Sequence, residues 1–134
     1  ELKFEASLPM VRIDAVLFEQ ALFNLLDNAA KYSPPQTTIS VRSWRGDGAV
    51  ILQVLDEGSG IPSTDLEHIF DKFYRAQKGD QVRPGTGLGL AIARGFIEAM
   101  RGTVTAANRA DRSGAAFTIS FPVPADTKPL ETAA

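Results

Sequence analysis

The sequence predicts a two-layer α/β sandwich, a mixed sheet with helices packed on one face. Three features carry this reading. Asp14 to Tyr32 repeats its apolar residues with period 3.6, two pairs of alternating segments are each joined by a polar glycine-bearing turn, and a second helical pattern follows the glycines at 85, 87 and 89. At 134 residues the chain is long enough to bury one core without disulfides. We expect one domain over residues 1–123 and a flexible tail over 124–134.

Residues 2 to 12 read as short extended segments broken at Pro9, after which Asp14 offers a helix N-cap. The helix should run to about Tyr32, because Ser33-Pro34-Pro35 cannot continue it. "TTISVRSW" (37–44) and "AVILQVLD" (49–56), separated by Gly46-Asp47-Gly48, form a hairpin signature. "DEGSGIP" reads as a loop and "STDLEHIF" as a short helix capped near Ser63. Residues 71 to 86 carry charge, glycine and proline without a sustained period, the mark of a long mobile loop. The helix after the glycines should end at Gly102, and "TVTAA" and "AAFTISFPV" alternate around the turn "NRADRSG" as a second hairpin.

Composition narrows the function. Hydrophobic residues make up 44% and charged residues 22%, which excludes a disordered chain, and no apolar run approaches the roughly 20 residues of a bilayer helix. A formal net charge of −2 gives no electrostatic reason to expect nucleic acid. The absence of cysteine rules out thiolate metal sites and fits a reducing compartment. The first residue is Glu1 and there is no signal peptide, from which we expect a domain excised from something longer.

Three patterns carry chemistry. On the first long helix, Phe18, Leu22, Leu25, Leu26 and Ala29 share the core face, while Asn24, Asn28 and Lys31 stand at i, i+4 and i+7 on a polar stripe. The stripe reads either as a solvated face or as hard oxygen ligands for Mg²⁺ beside a cation for phosphate. In "AVILQVLDEGSGIP", Val50, Leu52, Val54 and Asp56 share one face, so Asp56 points to the core side at the strand's end. It is either a plain turn residue or a buried carboxylate whose donor is an exocyclic amine, with Gly58 and Gly60 letting a flat ring approach. In "VRPGTGLGLAIARGFIEAM" the glycines open a helix in the manner of a phosphate loop, yet the spacing matches neither the dinucleotide fingerprint nor a Walker A loop.

"NLLDNAAKYSP" (24–34), "DEGSGIP" (56–62) and "FDKFYRAQKGDQVRPGTGLGLAI" (70–92) together resemble the N, G1, F and G2 boxes of the ATP-binding catalytic domain of sensor histidine kinases. The run "RPGTGLGLAIARGFIEAMRGTV" is most similar to the potassium-sensing KdpD subfamily. The resemblance implies the Bergerat fold, an α+β sandwich of about five strands and about three main helices. It also implies ATP and Mg²⁺ as cofactors. Asn28 would be the Mg²⁺ ligand supported by Asn24, Lys31 would contact phosphate, and Tyr32 would pack near the nucleotide. Asp56 would take the adenine amine in a pocket shaped by Gly58, Gly60 and Ile61. Phe70 and Phe73 would be core anchors at the start of an ATP lid, with Phe73 beside the nucleotide and Arg75 reaching phosphate. Gly85, Thr86, Gly87, Leu88 and Gly89 would present backbone amides to it.

ATPases of the same wider group, which includes gyrase and Hsp90, carry a water-activating glutamate four residues before the Mg²⁺ asparagine. This chain has Asn24 there, and an amide is no general base at neutral pH. The resemblance therefore favours a kinase domain that holds ATP for a histidine on a separate helical dimerisation domain, with a response regulator downstream, over two competing readings, an ATP-hydrolysing switch and a nucleotide-free interaction module. The isolated domain is expected to be monomeric, the full-length kinase dimeric, and the location cytoplasmic, beneath an inner-membrane sensor. His68, the only histidine, reads as an ordinary position in its short helix and not as the phosphoacceptor.

Overall fold

Asp14 starts the first helix as anticipated. In extended conformation, its Oδ1 accepts from the amides of Val16 at 2.9 Å and Leu17 at 3.1 Å, filling two of the donors that a helix start leaves open. Helix α1 (Ala15–Tyr32) ends where Ser33 turns extended and donates its hydroxyl back to the Ala29 carbonyl, immediately before Pro34. The computed structural model describes residues 2–4, 11, 13–74 and 88–124. The expected tail, Pro124 excepted, and most of the expected lid lie outside these residues.

Strands β1 (Leu2–Phe4), β2 (Ser40–Gly46), β3 (Ala49–Leu55), β4 (Thr103–Asn108) and β5 (Ala115–Pro122) form one sheet in the order β1-β2-β3-β5-β4. β1 runs parallel to β2 and every other pair is antiparallel, so the sheet is mixed. Gly46 pairs with Ala49, which makes Asp47-Gly48 a two-residue hairpin turn with Gly48 at φ 68°. The registers place Val54 opposite both Val41 and Phe117, and Ile119 opposite both Leu52 and Val104. Ala21, Leu25 and Ala29 of α1, with Ala93 and Ile97 of α2 (Gly89–Ala99), are wholly buried in the same core. The small alanines leave room for the two helices to pack against each other and the sheet.

Two local expectations are corrected. "STDLEHIF" forms no helix: the amides of Asp65, His68, Asp71 and Tyr74 each donate to the carbonyl three residues earlier, giving separate turns and no continuous ladder. Eight residues gain little from helix nucleation, and burial of Asp65 and Ile69 fixes the path instead. α1 and α2 are therefore the α-helices among the described residues. Phe70 anchors as expected, its ring edge-on to Phe117 at 6.2 Å. Phe73 does not. It sits at φ 64°, is 69% exposed, and yields the inward position to Tyr74.

α2 ends one residue earlier than its glycine implies. Arg101 takes the left-handed conformation at φ 65°, its amide donates to Glu98, and the Gly102 amide donates to Ile97, the paired bonds of a Schellman stop. Gly102 serves a different purpose, since a Cβ there would lie 2.8 Å from the Phe121 ring. We expect Arg101→Gly to stabilise the fold by about 0.5–1 kcal/mol through relief of the left-handed strain. Gly102→Ala should cost about 1–3 kcal/mol by overpacking. Urea unfolding of the two variants checks both signs.

Candidate functional site

β3 ends by placing Asp56 inside the molecule, 3% exposed, at the bottom of a pocket. A carboxylate so buried needs donors. Oδ1 has two, the amides of Gly58 at 2.9 Å and Ala115 at 3.0 Å. Among the described residues no donor reaches Oδ2, which leaves that oxygen to meet whatever enters. Asn28 and Tyr32 of α1 form one wall, Gly58 to Pro62 another, and Ile69, Tyr74, Leu90, Ala115 and Phe117 supply the apolar remainder.

Neither glycine of this wall can carry a side chain. A Cβ on Gly58 would come within 2.4 Å of the Tyr32 carbonyl oxygen, so α1 and the loop touch backbone to backbone. Gly60 sits at φ 86°. Behind the wall lies the β4–β5 turn. Asn108 accepts from the Ile61 amide at 2.6 Å and donates to the Ile61 carbonyl at 2.9 Å, Arg109 donates to the Asp56 carbonyl at 3.0 Å, and Ser113 donates to the Gly58 carbonyl at 2.6 Å. The Arg109 side chain is nearly buried and grips Asp111 with two nitrogens, at 3.0 and 2.9 Å. That hydrogen bonding holds Asp111 down to about 2 and pushes Arg109 up. Arg112 closes the network on Glu57 at 3.1 Å.

Of the residues singled out in the sequence, the fold brings Asn28, Tyr32, Asp56, Gly58, Gly60 and Ile61 together around one pocket. Asn24 lies beside the start of α2, its Oδ1 3.7 Å from where a Gly89 Cβ would stand. Leu88 is the N-cap of α2, and among the described residues no side chain caps that helix end. Lys31 is outside the lining and pairs with Asp27 at 3.0 Å on an exposed face. Phe73 is also outside the lining, and Arg75, Gly85, Thr86 and Gly87 lie outside the described residues.

Tyr74 is a residue that sequence reasoning missed. It lines the pocket and donates its hydroxyl to buried Asp65, a bond that, with burial, raises the phenol above its usual range. His68 lies against Tyr74 with ring centroids 5.5 Å apart and the planes tilted by 34°, and it holds Asp71 at 3.1 Å. Ala115 and Phe117 were legible only as strand positions, and Asn108 and Arg109 only as turn residues.

Residues 13–125 match the family described as histidine kinase-, DNA gyrase B-, and HSP90-like ATPase. The sensor protein KdpD of Escherichia coli K12 is 42% identical over 115 residues, covering 86% of this chain and 13% of that protein. The KdpD of Clostridium acetobutylicum is 39% identical over 125 residues, covering 90% and 14%. The chain thus spans about one seventh of the length of these relatives. Among solved structures, the mycobacterial sensor histidine kinase MprB superposes with a TM-score of 0.81 at 30% identity, covering 97% of this chain and 85% of that one. Full-length ShkA in complex with AMPPNP gives 0.73 at 28% identity, covering 92% and 26%. The sheet order, the glycine-walled pocket around Asp56 and these similarities agree: the chain belongs to the histidine kinase-, DNA gyrase B- and HSP90-like ATPase family, and within it to the catalytic domains of sensor histidine kinases.

Proposed function

We propose that this domain holds ATP in the Asp56 pocket and presents its γ-phosphoryl group to a histidine on a separate helical dimerisation domain of the same protein, from which the group passes to an aspartate of a response regulator. The observation that carries the proposal is Asp56 itself, a buried carboxylate with one oxygen engaged by Gly58 and Ala115 and the other left for a donor in the pocket. Adenine offers an amine donor where guanine offers a carbonyl, so a free acceptor oxygen selects the first. Gly58, where a Cβ would meet the Tyr32 carbonyl oxygen, lets the loop close on the end of α1 and so shapes the pocket beside Asp56.

The donor set near the phosphate end fits Mg²⁺. Asn28 lines the pocket and its carboxamide oxygen is a hard ligand that would hold the ion. Bound there, Mg²⁺ supplies charge neutralisation on the β- and γ-phosphates. Lys31 can exchange its exposed partner Asp27 for a phosphate at little cost, because such i,i+4 pairs are worth about 0.3–0.5 kcal/mol. The start of α2, from Leu88 and Gly89, presents amides and the positive end of the helix dipole. Gly85, Thr86, Gly87 and Arg75 complete the proposed phosphate contacts.

Asn24 supplies no general base, so ATP stays intact until the outside nucleophile arrives. In the whole protein we place this domain on the cytoplasmic side of an inner-membrane sensor; among the described residues no helix is long and apolar enough to cross a membrane.

Titration with a fluorescent ATP analogue should give binding that Asp56→Asn weakens about 10- to 150-fold, the loss of roughly 1.5–3 kcal/mol from a charge-assisted bond. Equal affinity of the two chains would remove the adenine assignment. Asn28→Asp should weaken binding most without Mg²⁺, where the added carboxylate repels phosphate, and the loss should shrink when Mg²⁺ is present. With labelled ATP the chain should take up no label and release negligible phosphate. Stable label on His68 would refute the kinase assignment, and sustained phosphate release would move the domain to the gyrase-like switches.

A further inference from the structure

The loop from Asp56 to Pro62 supplies nearly half of the pocket lining, yet beyond the Asp56 amide, which still donates to the Ala115 carbonyl of β5, no residue up to Ile61 makes a backbone–backbone bond to a strand among the described residues. Its backbone is held by side chains of the β4–β5 turn. Asn108 does the work of a missing strand: its oxygen takes the Ile61 N–H and its nitrogen serves the Ile61 C=O, the paired exchange that neighbouring antiparallel strands make through backbone groups. Gly60 lets the two approach, since a Cβ there would stand 2.6 Å from Asn108 Oδ1. Asn108 itself does not line the pocket.

Both Asn108 bonds are exposed to solvent. Water can replace exposed hydrogen bonds when a side chain is removed, so such bonds add little to folding. What water cannot replace is a fixed distance between Gly60-Ile61 and the turn. From Asn108 the same turn continues to Arg109 on the Asp56 carbonyl, Ser113 on the Gly58 carbonyl, and Ala115 on the Asp56 carboxylate. The base-recognising acid and the glycine wall are thereby referred to one rigid piece.

We propose that Asn108 is a positioning residue for base selection, holding the Gly60-Ile61 wall at the distance from Asp56 that a purine ring requires. This rests on the nucleotide-binding reading of the pocket. It acts through Ile61 and touches no ligand.

The test uses the 134-residue chain, titrated with fluorescent analogues of ATP and of GTP, beside thermal unfolding. Asn108→Ala should unfold within a few degrees of the native chain and bind the ATP analogue about tenfold more weakly, the value of roughly one hydrogen bond. Its weak binding of the GTP analogue should hardly change, so the selectivity ratio narrows. Asn108→Asp keeps an acceptor for the Ile61 amide but loses the donor to the Ile61 carbonyl, and should narrow the ratio as well; it serves as the test if the alanine variant fails to fold. Native selectivity in both variants, or equal weakening for both bases, would overturn the positioning role. A native chain that binds neither analogue would instead overturn the nucleotide reading, and this role with it.

Discussion

The buried carboxylate of Asp56 is the constraint around which the rest of the site is arranged. Taking a carboxylate out of water is costly unless its charge is met by donors. Here the donors are backbone amides, those of Gly58 and Ala115. Because they belong to the loop after β3 and to the first residue of β5, satisfying one oxygen fixes two chain segments relative to each other. The reach is closer still in the backbone: the Asp56 amide donates to the Ala115 carbonyl at 3.0 Å, and a Cβ on Gly114 would lie only 2.1 Å from the Asp56 oxygen. Gly114, at φ 141°, is thus required by contact as much as by conformation.

The helices follow from the same constraint through packing. Ala21, Leu25 and Ala29 fix which side of α1 meets the sheet, and the helical period then leaves Asn28 and Tyr32 on the flank that borders the pocket. α2 packs against α1, with Ala93 and Ile97 buried in the common core, and so places Leu90 in the lining and its own first residue beside Asn24. Polar residues of α1 and the start of α2 therefore converge from elements separated in sequence by the whole of β2 and β3.

The sequence disclosed the parts of this that depend on local physics. Asp14 as N-cap, the Pro34 stop, the Asp47-Gly48 hairpin and the inward direction of Asp56 each follow from capping, ring geometry or the period of two. What escaped depends on partners distant in the chain. Whether residues 63–70 close a helix is decided by the burial of Asp65 and Ile69, and whether Phe73 or Tyr74 turns inward by a left-handed residue that a sequence does not announce. Asn108 and Arg109 looked like turn residues because their partners, Ile61 and Asp56, lie about 50 positions upstream. The glycines misled in one instance. Gly102 marks the end of α2, but Arg101 makes the left-handed turn while Gly102 yields space to Phe121.

The position of Asn24 bears on the chemistry in a way that spacing alone does not convey. Its carboxamide lies at the start of α2, where helix amides carry partial positive charge. A carboxylate there would be drawn to that end and would compete with any anion approaching the same amides. A neutral amide leaves them available and cannot take a proton from water. On the proposed reading one substitution of residue type thus has two effects, both favouring a bound triphosphate that waits: phosphate keeps its place at the helix end, and water is left without a base to activate it.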